Sequence, residues 1–517
     1  MLKRLLVLLV VCWGTFAVPS RAQEYANPYI YYFSDTANAF IIERAGEFDT
    51  RIMGADLIPR PDPDLDQVTV VNGPGWSPSG RWFAWTAQHV SLGYDRSVDL
   101  GPFVIHTDGS KQLTLLDGLR NVQLAWAAEE DVLFVASFHR ELVDPDDLAD
   151  TRNVAQAYLA VIDVEREQVI ASFAEQIAFD DYPYTITGPT ITRANDGQHF
   201  IVTYPDYEDG NLFYTPVVMV FGTDGTSTKT RLDAIGPISY QGSLTDFPSI
   251  SPAGWVAYPT PDNFRAENVL TGETRRFTPL TDPDHIAWDA SGQHALIAGG
   301  GLWWLDCAGG VVTRLRGGWY FRLIEPVWSP GGLYALLTGA DQTLYGFNPT
   351  LTELSITARN DYGAWTWLDD THALILSATE PGAFVYDLAA LTVRYIPVEI
   401  PSNAGLPRLS PDGRFLAFIG EDIVVYDTAT ATTRTIPTAE NTIPGGDVDW
   451  NESGEWLLLF EYAASAGGGG KTYLGIAHAD GILRRDLGFS RWPSAITLDW
   501  LPPQVDPETL ETYQSPA

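Results

Sequence analysis

The chain has 517 residues, of which 45% are hydrophobic and only 19% are charged. This balance excludes disorder as the main state and allows several ordinary domains or one large repeat fold. Asp and Glu number 66 against 31 Lys and Arg, giving a net charge of −35, which makes nucleic acids and anionic lipids poor partners. The 46 Gly, 35 Pro and 17 Trp are typical of many short strands joined by tight turns.

The N-terminus has the parts of a secretory signal peptide. Lys3 and Arg4 supply positive charge, an apolar run follows, and small residues precede a cleavage point after Ala22. We expect residues 1–22 to be removed and the mature protein to be secreted or to lie in the periplasm or cell envelope, with an uncleaved anchor as the alternative. Cleavage would leave Cys307 as the only cysteine, so no intramolecular disulfide is expected.

The two ends of the remaining chain complement each other. Residues 29–33, 40–43 and 50–53 read as three outer strands with no inner strand before them, whereas residues 495–500 read as an inner strand with no outer strands after it. Pairing these segments would close a ring and remove exposed sheet edges.

One pattern recurs between these ends: an apolar or Trp anchor, a turn often reading Ser-Pro-x-Gly, and a run of alternating apolar residues. Successive anchors are 38 to 66 residues apart, mostly near 40, and a period near 40 with four strand-like runs indicates a propeller blade. We predict an all-β fold over residues 23–501, a β-propeller of about 8 to 10 four-stranded antiparallel blades. Ten blade-like units are counted, and two packed propellers are the alternative. The anchors are Trp76, Trp126, Thr192, Ile250, Trp288, Trp328, Trp367, Leu409 and Trp450, with Trp500 in the composite unit.

The turn at residues 410–414 reads Ser-Pro-Asp-Gly-Arg, in which Pro presets φ and Gly takes the position that needs a positive φ. This turn and its variants resemble those of the TolB-type, WD-repeat-like propellers of bacterial envelope proteins, over roughly residues 25–501. The resemblance implies a propeller and says little about function, because turn and packing residues carry it. The extra α/β domain of TolB-type proteins is not expected here, and residues 502–517 read as a flexible tail.

Four units are longer than the rest, and ring closure would make them neighbours around the composite blade. Their extra residues are predicted to form acidic, Tyr-containing loops on one half of one rim, where propellers place binding residues. The alternative is acidic decoration that only improves solubility. The candidate binding residues are Asp144, Asp147, Arg152, Asp181, Tyr182, Tyr184, Tyr207, Glu208, Asp209 and Tyr214.

Motifs for cofactors or metals are weak. Residues 467–472 contain Gly-Gly-Gly-Gly-Lys-Thr but lack the first glycine of a phosphate loop, and we expect no cofactor. Asp62, Asp64 and Asp66 have the alternate spacing of a calcium loop without its Gly and Glu, so calcium is only a weak alternative to the absence of a metal. The eight His residues are scattered, and those that follow blade turns are expected to cap or pack.

We expect no catalytic residues and predict a non-catalytic binding or scaffold module for a protein or glycan partner on one propeller face. The serines of the Ser-Pro-x-Gly turns recur in several blades, which makes them poor nucleophiles. The alternative is a propeller enzyme, a hydrolase or lyase acting on glycans or lactones, with carboxylates in the central funnel.

Overall fold

The computed structural model describes residues 29–510 apart from short internal segments. Those segments are 35–38, 45–49, 55–56, 61–66, 92–96, 121, 143–152, 180–189, 208–213, 233–247, 261–262, 279, 281–282, 318–325, 340–342, 360–361, 378–381, 397, 399–406, 421, 439–441, 464–471, 482, 491–497 and 508–509. The predicted signal peptide and the Asp62, Asp64 and Asp66 triplet lie outside the described residues. The described part of the chain contains 39 strands and no helix.

The strands of the first half are β1 (Tyr29–Ser34), β2 (Ala39–Arg44), β3 (Thr50–Met53), β4 (Gln67–Trp76), β5 (Trp82–Ser91), β6 (Ser97–His106), β7 (Val122–Trp126), β8 (Val132–Leu142), β9 (Asn153–Asp163), β10 (Gln168–Phe179), β11 (Thr190–Arg193), β12 (His199–Tyr207), β13 (Tyr214–Gly222), β14 (Ser227–Arg231), β15 (Ser249–Ile250), β16 (Trp255–Pro259), β17 (Phe264–Asn268), β18 (Glu273–Phe277), β19 (Pro283–Trp288) and β20 (His294–Gly299).

The strands of the second half are β21 (Gly301–Asp306), β22 (Val311–Gly317), β23 (Val327–Trp328), β24 (Ala335–Thr338), β25 (Thr343–Asn348), β26 (Glu353–Arg359), β27 (Tyr362–Trp367), β28 (His372–Ser377), β29 (Ala383–Asp387), β30 (Thr392–Ile396), β31 (Arg408–Leu409), β32 (Phe415–Ile419), β33 (Ile423–Asp427), β34 (Thr432–Ile436), β35 (Thr442–Trp450), β36 (Trp456–Ala463), β37 (Thr472–His478), β38 (Arg484–Ser490) and β39 (Leu498–Trp500).

These strands form ten antiparallel sheets, numbered here in ring order. Sheet 1 has the order β3-β2-β1-β39, and sheets 2 to 10 follow along the chain from β4–β6 to β35–β38. Nine sheets have four strands. In sheet 2 the fourth strand is reduced to a bridge between Ile105 and Gln112. The ten blades counted from the repeat are therefore confirmed.

Hydrophobic packing joins the sheets into one closed ring. Side chains alternate between the two faces of a strand, so Ile30 and Tyr32 pack against sheet 10 whereas Tyr31 and Phe33 pack against sheet 2. Ten clusters of buried residues repeat this arrangement, one at every interface between neighbouring sheets. Since the series includes the interface of sheet 10 with sheet 1, the fold is a single ten-bladed propeller.

Strand β39 closes the ring as the sequence predicts. It pairs with β1 from Ile30 opposite Trp500 to Tyr32 opposite Leu498. Beyond it, Val505 and Leu510 are each 4% exposed and belong to the cluster between sheets 1 and 2. At these two positions the segment predicted to be a flexible tail is packed.

Buried polar side chains hold the turn between the first and second strands of a blade. The hydroxyl of Ser410 accepts a hydrogen bond from the backbone N–H of Phe415 (2.8 Å), and Ser77, Ser251 and Ser329 accept equivalent bonds. These serines are at most 3% exposed. Their hydroxyls satisfy backbone donors that burial would leave unpaired, which agrees with the structural role predicted for the repeated serine.

Anchor tryptophans link neighbouring inner strands. In five sheets the indole N–H of the anchor donates to the residue that precedes the anchor of the previous sheet. The pairs are Trp126 with the carbonyl of Gly75 (3.0 Å), Trp288 with the hydroxyl of Ser249 (3.0 Å), Trp328 with the carbonyl of Ala287 (3.0 Å), Trp367 with that of Val327 (3.3 Å) and Trp450 with that of Arg408 (3.1 Å). At the closure, the buried indole nitrogen of Trp500 has no acceptor among the described residues.

Candidate binding site in sheets 2 to 4

The long units differ from the short ones in strand length. Hairpin β8–β9 pairs over eleven residues, from Val132 opposite Asp163 to Leu142 opposite Asn153, whereas β32–β33 pairs over five. Six further residues lengthen a strand by about 20 Å. Both hairpins start at the Ser-Pro side of the ring, so the added length projects from the opposite face.

Sheets 2, 4 and 10 are extended in the same direction as sheet 3. Their second strands have ten, nine and eight residues, against four to six in sheets 5 to 9. We call sheets 10 and 1 to 4 the elaborated arc and sheets 5 to 9 the lean arc. The prediction that the long units are neighbours around the composite sheet is correct. The expectation that their extra residues are loops is wrong in part, because much of the extra length continues the ladder.

Two of the predicted site residues lie at the far end of the β12–β13 hairpin. Tyr207 and Tyr214 are the last pair of β12 and β13 and lie directly opposite each other. The other predicted binding residues lie outside the described residues, so the structure does not test whether they meet. They are Asp144, Asp147, Arg152, Asp181, Tyr182, Tyr184, Glu208 and Asp209.

A cavity of about 810 Å³ opens along the inner strands of sheets 2, 3 and 4. It reaches from Asn72 and Val122, at the face of the long hairpins, to Pro78 and Ala128 at the Ser-Pro turns. The cavity and the long hairpins therefore belong to the same three sheets. The complete lining consists of Asn72, Gly73, Pro74, Trp76, Pro78, Thr86, Val122, Gln123, Leu124, Ala125, Trp126, Ala127, Ala128, Ile191 and Arg193.

An irregularity in β4 shapes one wall of this cavity. The register of β4 against β5 shifts between Asn72 and Gly75, and the hydroxyl of Thr86 donates to the carbonyl of Asn72 (3.1 Å). A Cβ on Gly73 would lie 2.6 Å from the Cα of Trp85, so only glycine fits where the two backbones approach. Such bulges re-aim the residues around them.

The lining combines an apolar wall with a few polar groups. Val122, Leu124 and Ile191 supply apolar surface, while Gln123 and Arg193 are exposed in the cavity. None of the lining residues is acidic, and no described carboxylate forms an ion pair with Arg193. The arrangement suits a ligand that offers carbonyl or carboxylate oxygens to an amide and a guanidinium.

Sequence reasoning missed these polar residues. Arg193 follows the anchor Thr192 directly, and Gln123 lies three positions before the anchor Trp126. Because inner strands face the channel, the residues around each anchor are the signal that could have found them.

The His residues that follow blade turns pair with acids of the same turn, as expected for capping residues. Nδ1 of His294 lies 3.0 Å from a carboxylate oxygen of Asp289, and Nδ1 of His372 lies 2.9 Å from Asp369. These hydrogen bonds raise the pKa of both imidazoles. Despite burial, the hydrogen bonds of Asp369 lower its pKa to about 2. No cluster of three or more metal-binding side chains occurs in the described part of the chain.

Fold and cavity together define a β-propeller with a cavity on the channel side. No protein-family model matches the chain, and no curated protein matches it either. Among solved structures, a eukaryotic initiation factor is 13% identical, with 92% of this chain and 98% of that one covered and a TM-score of 0.48. At such identities the likeness concerns the fold alone.

Two further solved propellers are similar in the same limited sense. The C-terminal WD40 domain of Sif2 is 14% identical, with 63% of this chain and 89% of that one covered and a TM-score of 0.30. A putative TolB from Agrobacterium tumefaciens is 15% identical, with 46% and 97% covered and a TM-score of 0.27. These matches do not favour the TolB type over other propellers.

Proposed function

We propose that the chain is a binding or scaffold module whose protein or glycan partner docks on the long hairpins of sheets 2 to 4 and extends a segment into the cavity beside them. The observation that carries this proposal is the coincidence of hairpins and cavity on the same three sheets. A partner can contact both at once, and rigid strands position such a surface better than loops do.

The test uses the purified chain as bait on an extract of its own cells. Ala125→Trp narrows the cavity at a position away from the projecting ends of the hairpins, and Ala287→Trp changes the equivalent position of sheet 6 as the matched control. We expect one partner to be retained by the native chain and by Ala287→Trp and lost with Ala125→Trp. Equal retention by both variants would contradict the proposal. Protease and periodate treatment of the extract separates a protein partner from a glycan.

We further propose that the protein acts outside the cytoplasm, as an envelope or secreted propeller of the TolB-like kind. Lys3, Arg4 and the small residues before Ala22 support this proposal. No helix in the described part of the chain could span a membrane. Expression of the full chain in a bacterium should yield an exported product that starts at residue 23. A cytoplasmic product with an intact N-terminus would contradict export.

A second candidate function rests on two acids of the inner strands. Asp449 and Asp499 each precede an anchor tryptophan, on the neighbouring sheets 10 and 1. Removal of water from its carboxyl raises the pKa of Asp499, and a carboxyl group with a raised pKa suits the general acid of glycoside hydrolysis. Glycosidase and lactonase assays with Asp449→Asn and Asp499→Asn test this candidate. Activity that survives both changes, or that is absent from the native chain, would exclude these residues as its source.

A further inference from the structure

The anchor of sheet 4 differs in chemistry from the anchors of the other sheets. The residue after an anchor donates its backbone N–H to the start of the next strand, as Ala127 does after Trp126 (2.9 Å). In sheet 4 this donor is Ala194 (2.9 Å), so the anchor position belongs to Arg193, one residue after the predicted Thr192. The anchor is Trp in seven sheets, Ile in sheet 5 and Leu in sheet 9, and only sheet 4 has a cation there.

The missing tryptophan leaves a gap between the inner strands of sheets 3 and 4. In the five links described above, an anchor indole crosses to the inner strand of the previous sheet. In sheet 4 the cavity occupies that place and follows residues 122–128 of sheet 3. Gln123 lies opposite Ala136 and Arg193 opposite Phe200, and both partners belong to the cluster between these sheets. Because paired residues share a face, Gln123 and Arg193 face each other across the gap.

Arg193 supplies the only charge on the cavity wall. The inner strands β4, β7 and β11 contain no acid and no other base, whereas the acids of the described inner strands lie in sheets 1, 6 and 10. Arg193 is exposed in the cavity, and no described carboxylate forms an ion pair with it. A guanidinium in this state offers its planar N–H donors to a carboxylate of a ligand.

The cavity suits an extended peptide better than a glycan. Among the described strands β7 pairs with β8 alone, so its inner edge can accept an added strand. Val122 and Leu124 on β7 supply apolar surface for the side chains of that strand. The rings of Trp76 and Trp126 beside the cavity are only 7% and 6% exposed, so neither offers a face on which a sugar ring could stack.

We propose that the cavity binds an extended polypeptide segment of the partner, whose carboxylate accepts hydrogen bonds from Arg193 while its backbone pairs with the inner edge of β7. The amide of Gln123 faces the same segment. This inference rests on the proposed function, because it names the segment that enters the cavity. The carboxylate belongs to an Asp or Glu side chain or to a free C-terminus, and the test separates these two sources.

Peptide display on the purified full chain is the first test. Two random heptapeptide libraries, one with a blocked and one with a free C-terminus, are selected on the native chain. Counter-selection uses Arg193→Trp, which introduces the anchor of seven other sheets. We expect a fixed Asp or Glu in the first library, or acid-independent binding that requires the free C-terminus in the second. Peptides without a carboxylate, or none specific to the native chain, would overturn the proposal.

Fluorescence anisotropy then compares the best peptide with its carboxamide analogue. On the native chain, which needs no variant, the carboxamide should bind about tenfold to a hundredfold more weakly. Arg193→Leu introduces the anchor of sheet 9 and should cause the same loss. The matched control Arg408→Leu removes the other cation of the described inner strands and should change the affinity by less than about twofold.

The combination of both changes shows whether the two groups touch. The carboxylate and carboxamide peptides should bind Arg193→Leu equally, because an interaction removed from one side cannot be lost again from the other. A carboxamide penalty that persists in Arg193→Leu would place the carboxylate elsewhere and overturn the proposal. Short oligogalacturonates that bind the native chain more tightly than the best peptide would indicate an acidic glycan and contradict the peptide.

The carboxylate contact and the proposed docking fail in different ways. If Arg193→Leu retains a partner from the extract that Ala125→Trp loses, the partner enters the cavity without this contact and the inference is wrong. If the peptide binds through Arg193 but the partner from the extract is retained by Ala125→Trp, the docking proposal is wrong and the carboxylate site stands.

Discussion

The two arcs of the ring show how one repeat supports two kinds of surface. In the lean arc β16, β28 and β32 have five or six residues, just enough to fill the interfaces between sheets. In the elaborated arc β5 and β8 have ten and eleven. The anchors and Ser-Pro turns stay at one end of every blade, so length can be added at the other end without disturbing the ring.

The largest effect should come from the buried ion pair of sheet 10. Glu461 is 1% exposed and Arg484 contacts it twice, at 2.7 and 2.9 Å. Arg484→Met removes both charged contacts from a buried carboxylate that still accepts a hydrogen bond from the Thr442 hydroxyl (2.9 Å), and the loss should cost about 3–5 kcal/mol in the free energy of unfolding. Urea unfolding measures the loss. The control Arg166→Gln breaks an exposed ion pair with Asp163 and should cost less than about 1 kcal/mol. Equal losses would show that the ion pair of sheet 10 contributes no more stability than a surface pair.

The next effect should come from the bulge beside the cavity. Gly73→Ala places a Cβ against the Trp85 backbone, and the shift should cost about 2–3 kcal/mol, in the range of overpacked cores. In Gly475→Ala the nearest atom to the new Cβ is 3.3 Å away, so a smaller loss is expected. Thermal unfolding of both variants compares the two losses of stability. A Gly73→Ala variant as stable as the native chain would mean that β4 shifts to make room for the new Cβ.

The tryptophan links should distinguish the closure from the interface between sheets 9 and 10. Trp450→Phe removes a hydrogen bond to the carbonyl of Arg408, whereas Trp500→Phe removes an indole N–H without an acceptor among the described residues. The first change should cost about 1 kcal/mol more in the free energy of unfolding than the second. Equal costs in chemical denaturation would show that the hydrogen bond adds nothing.

The smallest effect concerns pH and the turns of the lean arc. The pKa of His372 is higher in the folded protein than 6.5, the pKa of an unfolded histidine. Protonated His372 therefore stabilises the fold below pH 6.5, and this stability is lost as the pH rises through the pKa of the folded state. The pKa of Asp369 is lowered from 3.8, its unfolded value, to about 2 in the folded protein. Ionised Asp369 therefore stabilises the fold above pH 3.8, and this stability is lost as the pH falls towards about 2. A double-mutant cycle with Asp369→Asn and His372→Gln should therefore give a coupling of about 0.5–1 kcal/mol at pH 5 and less at pH 8.5. A coupling that does not change with pH would exclude charge as its source.

The fold was largely predictable because its signals are local. A turn such as Ser410–Gly413 and the alternating run after it can be recognised in a single blade, and their recurrence gives the number of blades. The long hairpins were harder to predict: Arg140, Glu141 and Asn153 read as loop residues, yet pairing across the hairpin continues the ladder through them.

The cavity depends on neighbours that are far apart in sequence. Gln123 and Arg193 line one cavity only because adjacent inner strands face the same channel. Within the sequence of a single blade, one such cation or amide does not differ from other polar residues. The spatial set becomes visible only when equivalent positions are compared around the ring.

The pairing of β39 with β1 has a consequence for how the molecule is made. It joins positions roughly 470 residues apart, and closing so long a loop costs about 5 kcal/mol of chain entropy. Three residue pairs and the packing around them must offset that cost. During synthesis from the N-terminus, the chain therefore holds nine sheets and an incomplete tenth until residue 500 is added. Until then the inner edge of β1 stays exposed to other chains.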